Sequence, residues 1–356
     1  MAKSILAGIK QKAEENPKKT MVTSLRGKII LIYSTNNQGK TYQAIRLDED
    51  CLVLATEKGY NASALKYDPV DIPNFKILKD VTRELSDERN LKDNLHLFHL
   101  IIIDSIDKIN DLATMYVCKR EGVSKIGDIP YGGGYAMVRQ EINDICNKLT
   151  LSGYGVVFID HDETDPEYID PVTGEKYPYT FPKGTMSKSG SIFRDLADFT
   201  IYLENKGTDE DGKVILSDGI MSHRKNVFAR SRYMNCPTSI SPFTAENLKK
   251  AVREAVVAEA KAQGAEVVDD IDESSFVKSE EEIEKSKEEY KDELVSDINA
   301  FGKVLITDFA DECAKIMSEL PCKPSKAKIE HIGKLENILE NLKDLADKNN
   351  IVVDVE

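Results

Sequence analysis

The sequence predicts an α/β domain with a mainly parallel sheet, organised around a P-loop and followed by a C-terminal helical hairpin. Three observations carry this. The apolar run Ile29-Ile30-Leu31-Ile32-Tyr33 leads into Ser34-Thr35-Asn36-Asn37-Gln38-Gly39-Lys40-Thr41 and then into a helix-compatible stretch from Tyr42, the strand–loop–helix layout of a P-loop. Cys51-Leu52-Val53-Leu54-Ala55, Leu100-Ile101-Ile102-Ile103 and Gly155-Val156-Val157-Phe158-Ile159 are short uninterrupted apolar runs, as expected of strands covered on both faces. Beyond residue 293, Leu294, Ile298, Phe301, Leu305, Phe309, Ile316 and Leu320 recur at helical spacing. Pro321 and Pro324 break that pattern, and Ile329, Ile332, Leu335, Leu339, Leu342 and Leu345 resume it.

The elements follow in order. Residues 4–15 can form a short helix with Ile5, Leu6 and Ile9 on one side, leading into Thr20-Met21-Val22. We read residues 1–27 as an N-terminal arm packed on the domain, with docking on a neighbouring subunit as the alternative. In the P-loop, successive backbone N–H groups at a helix N-terminus form an anion cradle. Ser34, Thr35, Asn36, Asn37, Gln38, Gly39, Lys40 and Thr41 are therefore the candidate nucleotide-binding residues. Lys40 would reach the β- and γ-phosphates and Thr41 would ligate Mg²⁺. Ser34 stands where the usual pattern has its first Gly, and Asn36 and Asn37 tolerate left-handed backbone at the turn. After the strand at 51–55 comes Glu57, a candidate catalytic acid at the carboxyl edge, where α/β sheets place chemistry.

Leu100-Ile101-Ile102-Ile103-Asp104-Ser105 reads as a Walker B strand, with Asp104 the second Mg²⁺ residue. The residue after Asp104 is Ser105, so the base must come from elsewhere. Tyr131-Gly132-Gly133-Gly134-Tyr135 reads as a flexible loop near Lys119, Arg120 and Lys125, suited to stacking single-stranded nucleic acid or equally to a tight turn with the rings inward. A helix is expected from Ala136 to Leu151. His161, at the end of the next strand, is a candidate γ-phosphate sensor. Residues 162–189 read as a long loop with a turn at 170–175, and Lys183, Lys188, Arg194, Tyr177, Tyr179 and Phe181 make it a second candidate nucleic-acid loop. A strand at 199–203, a turn at Asp211-Gly212-Lys213 and a return strand at 219–222 complete the sheet. Lys225 and Arg230 are candidates for a cation reaching the γ-phosphate of an adjacent subunit. Thr244 caps a helix running to about Gln263.

At 356 residues and 41% hydrophobic content the chain accommodates one large domain and a smaller one. The expected boundaries are 28–243 for the P-loop domain, 244–265 for a helix, 266–293 for an acidic linker and 294–356 for the helical hairpin. Residues 266–297 hold 14 acidic and four basic residues, a local charge of −10, leaving −4 of the chain's −14 for the rest. Overall acidity therefore does not exclude nucleic acid as a partner of the main domain. The linker would compete for the DNA-binding face. The six cysteines form no C-x-x-C pair and read as reduced thiols of a cytoplasmic protein without a zinc site. No apolar stretch suggests a signal peptide or a membrane span.

Gly39-Lys40-Thr41, Glu57, Ile103-Asp104-Ser105, the Tyr131–Tyr135 segment, His161 and Arg224-Lys225-Asn226 together make residues 28–235 resemble the phage RecA-like P-loop ATPases of the single-strand-annealing recombinase type, often described as phage AAA ATPases. The resemblance implies a RecA-like P-loop NTPase core that binds ATP and Mg²⁺. It also implies oligomerisation of like subunits on single-stranded DNA, and annealing or strand pairing in phage recombination within the host cytoplasm. RecA-like ATPases also use Asp-Ser at the Walker B strand and carry the catalytic Glu after the preceding strand, which is Glu57's place. The linker and hairpin lie outside it. Two other readings stay open: a nucleotide-gated scaffold or loader that holds a protein partner through the C-terminal hairpin, and a helicase-type motor, for which no further motif is present.

Overall fold

The uninterrupted apolar runs become neighbours in one sheet because each is buried on both faces. The computed structural model describes residues 20–187, 190–271, 280–349, 351 and 353, and the helix expected at 4–15 lies outside them, as does Lys188. The chain divides into two units, Met1–Phe276 and Val277–Glu356.

In the first unit the elements run β1 (Thr20–Val22), β2 (Ile29–Ser34), α1 (Lys40–Ile45), β3 (Cys51–Ala55), β4 (Val70–Asp71), α2 (Phe75–Ser86), α3 (Leu91–Leu97) and β5 (Leu100–Asp104). Then come α4 (Ile106–Arg120), α5 (Gly133–Leu151), β6 (Gly155–Asp165), β7 (Tyr179–Pro182), α6 (Ser191–Leu196) and β8 (Phe199–Glu204). The unit closes with β9 (Asp218–Ile220), β10 (Arg230–Ser231), β11 (Ser239–Ile240), α7 (Ala245–Gln263) and β12 (Glu266–Val268). The main sheet has the order β11-β9-β8-β2-β6-β5-β3-β4. The pairings from β8 through β4 are parallel, while β9 and β11 continue antiparallel. This is an α/β fold with a mostly parallel sheet and the core of a P-loop NTPase.

Alternate residues of the strands supply two cores. Ile30, Ile32, Val53, Ile102, Val157 and Ile201 pack with Ala44 of α1 and Leu248, Val252 and Ala255 of α7. On the opposite face Ile103 meets Leu78, Ile109, Ile142, Ile145 and Phe193 of the other helices. Parallel register levels the strand ends: Ala55 pairs with Asp104, Asp104 with Ile159, and Ser34 with His161. The functional side chains therefore emerge along one carboxyl edge.

Several elements differ from the sequence reading. Gly133 and Gly134 open α5 rather than a loop, because Gly132 (φ 70°) takes the left-handed position immediately before the helix. The stretch after His161 is a hairpin: β6 continues to Asp165 and pairs antiparallel with β7. Glu266–Val268, expected in the linker, forms β12 and pairs in parallel with β1. Asp269 then binds Arg253 and Asp270 binds Arg26. This start of the acidic stretch lies beside the segment leading into β2, at the end of the sheet remote from the P-loop.

Among the described residues the second unit has two long α-helices packed on each other, α8 (Glu280–Leu305) and α10 (Ile332–Lys348), with a shorter one, α9 (Ala310–Met317), between them in sequence. Helix α8 begins inside the stretch expected as linker. Its Glu/Lys-rich sequence favours helix, with exposed pairs such as Lys285–Glu289 at i,i+4. Leu294, Ile298 and Leu305 of α8, Cys313 of α9 and Leu335, Ile338 and Leu342 of α10 share one core. Among the described residues no helix is long and apolar enough to cross a membrane.

Candidate active site

The P-loop turns at Asn37 (φ 62°) and Gly39 (φ 80°). Neither needs to be Ser34, which is the last, fully buried residue of β2 and pairs in register with His161. A serine there thus replaces the usual glycine without left-handed strain. The Lys40 ammonium donates to the Ser34 carbonyl (2.9 Å), the Ser34 hydroxyl (3.2 Å) and the Thr35 carbonyl (2.8 Å), holding the loop closed. Burial pushes the Lys40 pKa down against the pull of Asp104, Asp162, Asp160 and Glu57.

The Thr41 hydroxyl donates to Asp104 Oδ2 at 2.6 Å. Asp104 is buried; its carboxyl is pushed up by burial, with nearby Glu57 adding to the shift. A Cβ on Gly59 would come within 3.2 Å of both Thr41 Oγ1 and Asp104 Oδ2, so a glycine lines this oxygen pair. Two hard oxygen donors, the Thr41 hydroxyl and the buried Asp104 carboxylate, beside a side-chain-free wall fit Mg²⁺.

Beside these, Glu57, Asp107 and His161 line a cleft, with a ligand-type atom of each within 4.8 Å of the others. The cleft has a volume of about 480 Å³ and is also lined by Thr35, Asn36 and Lys183. Ser105 Oγ lies 3.2 Å from Glu57 Oε1 and in hydrogen-bond contact with Asp107 Oδ1. Its single proton serves one of these carboxylates at a time. His161 Nδ1 is 3.4 Å from Asp107 Oδ2, and Lys183 Nζ is 3.5 Å from the same oxygen. Burial pushes the Asp107 carboxyl up, but the hydrogen bonds from His161 and Ser105 outweigh it and hold it below the usual range. The bond to Asp107 raises the His161 pKa. Behind them Asp160, fully buried, is raised to about 8 by burial and accepts from the Gly184 and His161 amides.

Lys40, Thr41, Asp104, Glu57 and His161 thus gather at one edge. Lys225 and Arg230 do not join them. Lys225 is exposed and binds Glu175 at 2.9 Å, near the Tyr177 ring. Arg230 turns inward and donates to the carbonyls of Arg194 (2.7 Å) and Asp195 (3.1 Å) in α6. Tyr131 is fully exposed and Tyr135 largely so. Arg120, beside them in the sequence reading, is instead paired with Glu121 and Glu141. Tyr177, Tyr179 and Phe181 pack on one another and on Tyr168, with Tyr179 buried. Sequence reasoning missed Asp107, whose one signal was an acid in the first turn of the helix after the Walker B strand. It also missed the place of Lys183 in the cleft, which no local pattern marks.

A family model described as an AAA domain matches residues 26–233. The SPbeta prophage-derived uncharacterized protein YorG of Bacillus subtilis (strain 168) is 32% identical over 333 residues, covering 93% of this chain and 97% of that protein. Among solved structures, the KaiC-like protein PH0186 from the hyperthermophilic archaeon Pyrococcus horikoshii OT3 is similar over 56% of this chain and 81% of that chain, with 11% identity and a TM-score of 0.30.

Proposed function

The chain belongs to the AAA-domain family, and on that premise we propose that it binds ATP with Mg²⁺ in the cleft and hydrolyses it. The observation that carries this reading is the meeting of Lys40, Thr41 and Asp104 with Glu57 at one edge of the sheet. Lys40 and the amides of the loop hold the phosphates. Thr41 and Asp104 would hold Mg²⁺, which when bound neutralises charge on the β- and γ-phosphates. The Glu57 carboxylate orients the attacking water and accepts its proton. His161, held by Asp107 through Nδ1, turns its other nitrogen to the terminal phosphate and reports its presence to the hairpin that follows.

The finer reading is action on single-stranded DNA, in annealing or strand pairing during phage recombination or replication, by a homo-oligomer in the host cytoplasm. The prophage origin of the relative and the exposed Tyr131 and Tyr135 support it. Exposed Lys225 is the cation retained for action on a neighbour's nucleotide, since Arg230 is committed to α6. The alternative, a nucleotide-gated scaffold holding a protein partner, draws on the three-helix unit with its own core.

The test is steady-state ATP hydrolysis with Mg²⁺, with and without single-stranded DNA, for wild type, Lys40→Ala and Glu57→Gln. Expected is turnover stimulated by DNA, with at least about a hundredfold loss in both variants and retained ATP binding in Glu57→Gln. Tight binding without turnover in wild type removes the enzyme and leaves the scaffold.

A further inference from the structure

We propose that Lys183 is a catalytic residue that contacts the terminal phosphate of the nucleotide bound in its own subunit. The inference rests on the nucleotide reading above and names a contact made within one chain, independent of any cation a neighbour supplies.

Lys183 reaches the cleft through sheet pairing. Asp162, next to His161, pairs with Pro182 across the hairpin, so residue 183 arrives at the cleft wall. There the backbone is held on several sides. Lys183–Thr185 forms a single 3₁₀ turn. The Gly184 N–H donates to the buried Asp160 carboxyl at 2.8 Å, and a Cβ on Gly184 would lie 2.8 Å from the Asp107 nitrogen. Thr185 is buried and its hydroxyl donates to the Pro182 carbonyl at 2.8 Å. The turn is thus wedged against the start of α4, while the Lys183 side chain remains 47% exposed.

The ammonium's present contact is loose. At 3.5 Å from Asp107 Oδ2 it is longer than that carboxylate's contacts with Ser105 and His161. Asp107 keeps Ser105 and His161 as partners when Lys183 leaves. Lys40 is the opposite case, bound to three oxygens of its own loop. A flexible four-carbon stem on a fixed turn, ending in a compact charge opposite Thr35 and Asn36, is suited to phosphate. The charge would follow the developing negative charge on the transferring group. Lys108, in the first turn of α4, is the other lysine lining the cleft and serves as the control.

The experiment compares equilibrium binding of fluorescent ADP and a fluorescent non-hydrolysable ATP analogue, with Mg²⁺, to full-length wild type, Lys183→Ala, Lys183→Arg and Lys108→Ala. Turnover is measured in parallel. Expected for Lys183→Ala is about tenfold or greater weakening for the ATP analogue, ADP affinity within about twofold, and a matching fall in turnover. Lys183→Arg should restore much of the preference. Equal loss for both nucleotides, loss for neither, or a lost preference in Lys108→Ala alone overturns the inference while nucleotide binding stands. A wild type that binds neither nucleotide overturns the nucleotide reading and this inference together.

Discussion

On one side of the site, Lys40, Thr41 and the turning residues Asn37 and Gly39 come from one continuous segment, and one long-range partner, Asp104, completes the arrangement. At the other end Glu57, Ser105, Asp107, His161 and Lys183 come from separated segments that meet only when β3, β5 and β6 end level and the β6–β7 hairpin folds back. The first end is suited to phosphate by local backbone geometry. The second depends on register, because a slipped strand carries its side chains to the opposite face. On the proposed function, nucleotide binding can therefore survive changes that dismantle the second end, and the two should separate experimentally.

The largest expected separation comes from Gly184→Ala. Its Cβ would lie 2.8 Å from the backbone nitrogen of Asp107, so the turn or the start of α4 must move. We expect turnover to fall at least about tenfold and stability by about 1–3 kcal/mol, with ADP affinity nearly unchanged, measured by hydrolysis, urea denaturation and nucleotide binding. Loss of ADP binding comparable to that in Lys40→Ala would break the comparison.

A smaller effect should follow pH. Asp107 is depressed below 3.8, so its contribution is present above that value and fades as pH falls through the folded pKa. His161 is raised above 6.5, so its contribution is complete below 6.5 and is lost as pH rises through the folded pKa. The stability gap between wild type and His161→Gln should be widest between these two values and narrow as pH rises through the folded His161 pKa. A gap that stays constant from below pH 6.5 to beyond the folded His161 pKa, measured by urea denaturation, would assign the ring a packing role alone.

The smallest effect is remote from both ends. Thr244 caps α7 by accepting from the Asn247 amide at 3.1 Å. Thr244→Ala should cost about 1 kcal/mol in urea denaturation while leaving nucleotide binding and turnover intact. A change in turnover would show that the α7 face communicates with the cleft and sharpen the boundary drawn here.

The legible residues are those whose roles are written in their neighbours. Strand–loop–helix around Gly39-Lys40-Thr41 is a local pattern, as are the apolar runs that became β2, β3, β5 and β6 and the Thr244 cap. Asp104, Glu57 and His161 were legible because each ends such a run. Arg230 was not. It lies beside exposed basic residues in sequence but pairs with β8, which aims it at the carbonyls of α6. Tyr177, Tyr179 and Phe181 suggested free stacking surfaces, yet the hairpin pleat set them against Tyr168 and one another. The acidic composition of 266–293 hid both a strand and the start of α8.

The sequence by itself determined which segments are buried strands, where the loop from Ser34 to Thr41 turns and which polar residues follow the strands at their carboxyl ends. Those outcomes follow from short-range sterics, propensity and the burial of contiguous apolar residues. Only the tertiary structure decided that Asp107 joins Ser105 to His161, that Lys183 enters the cleft and that Arg230 turns away from it. These meetings depend on which strands pair and in what register, quantities set by the packing of the whole sheet rather than by any residue's neighbours in the chain.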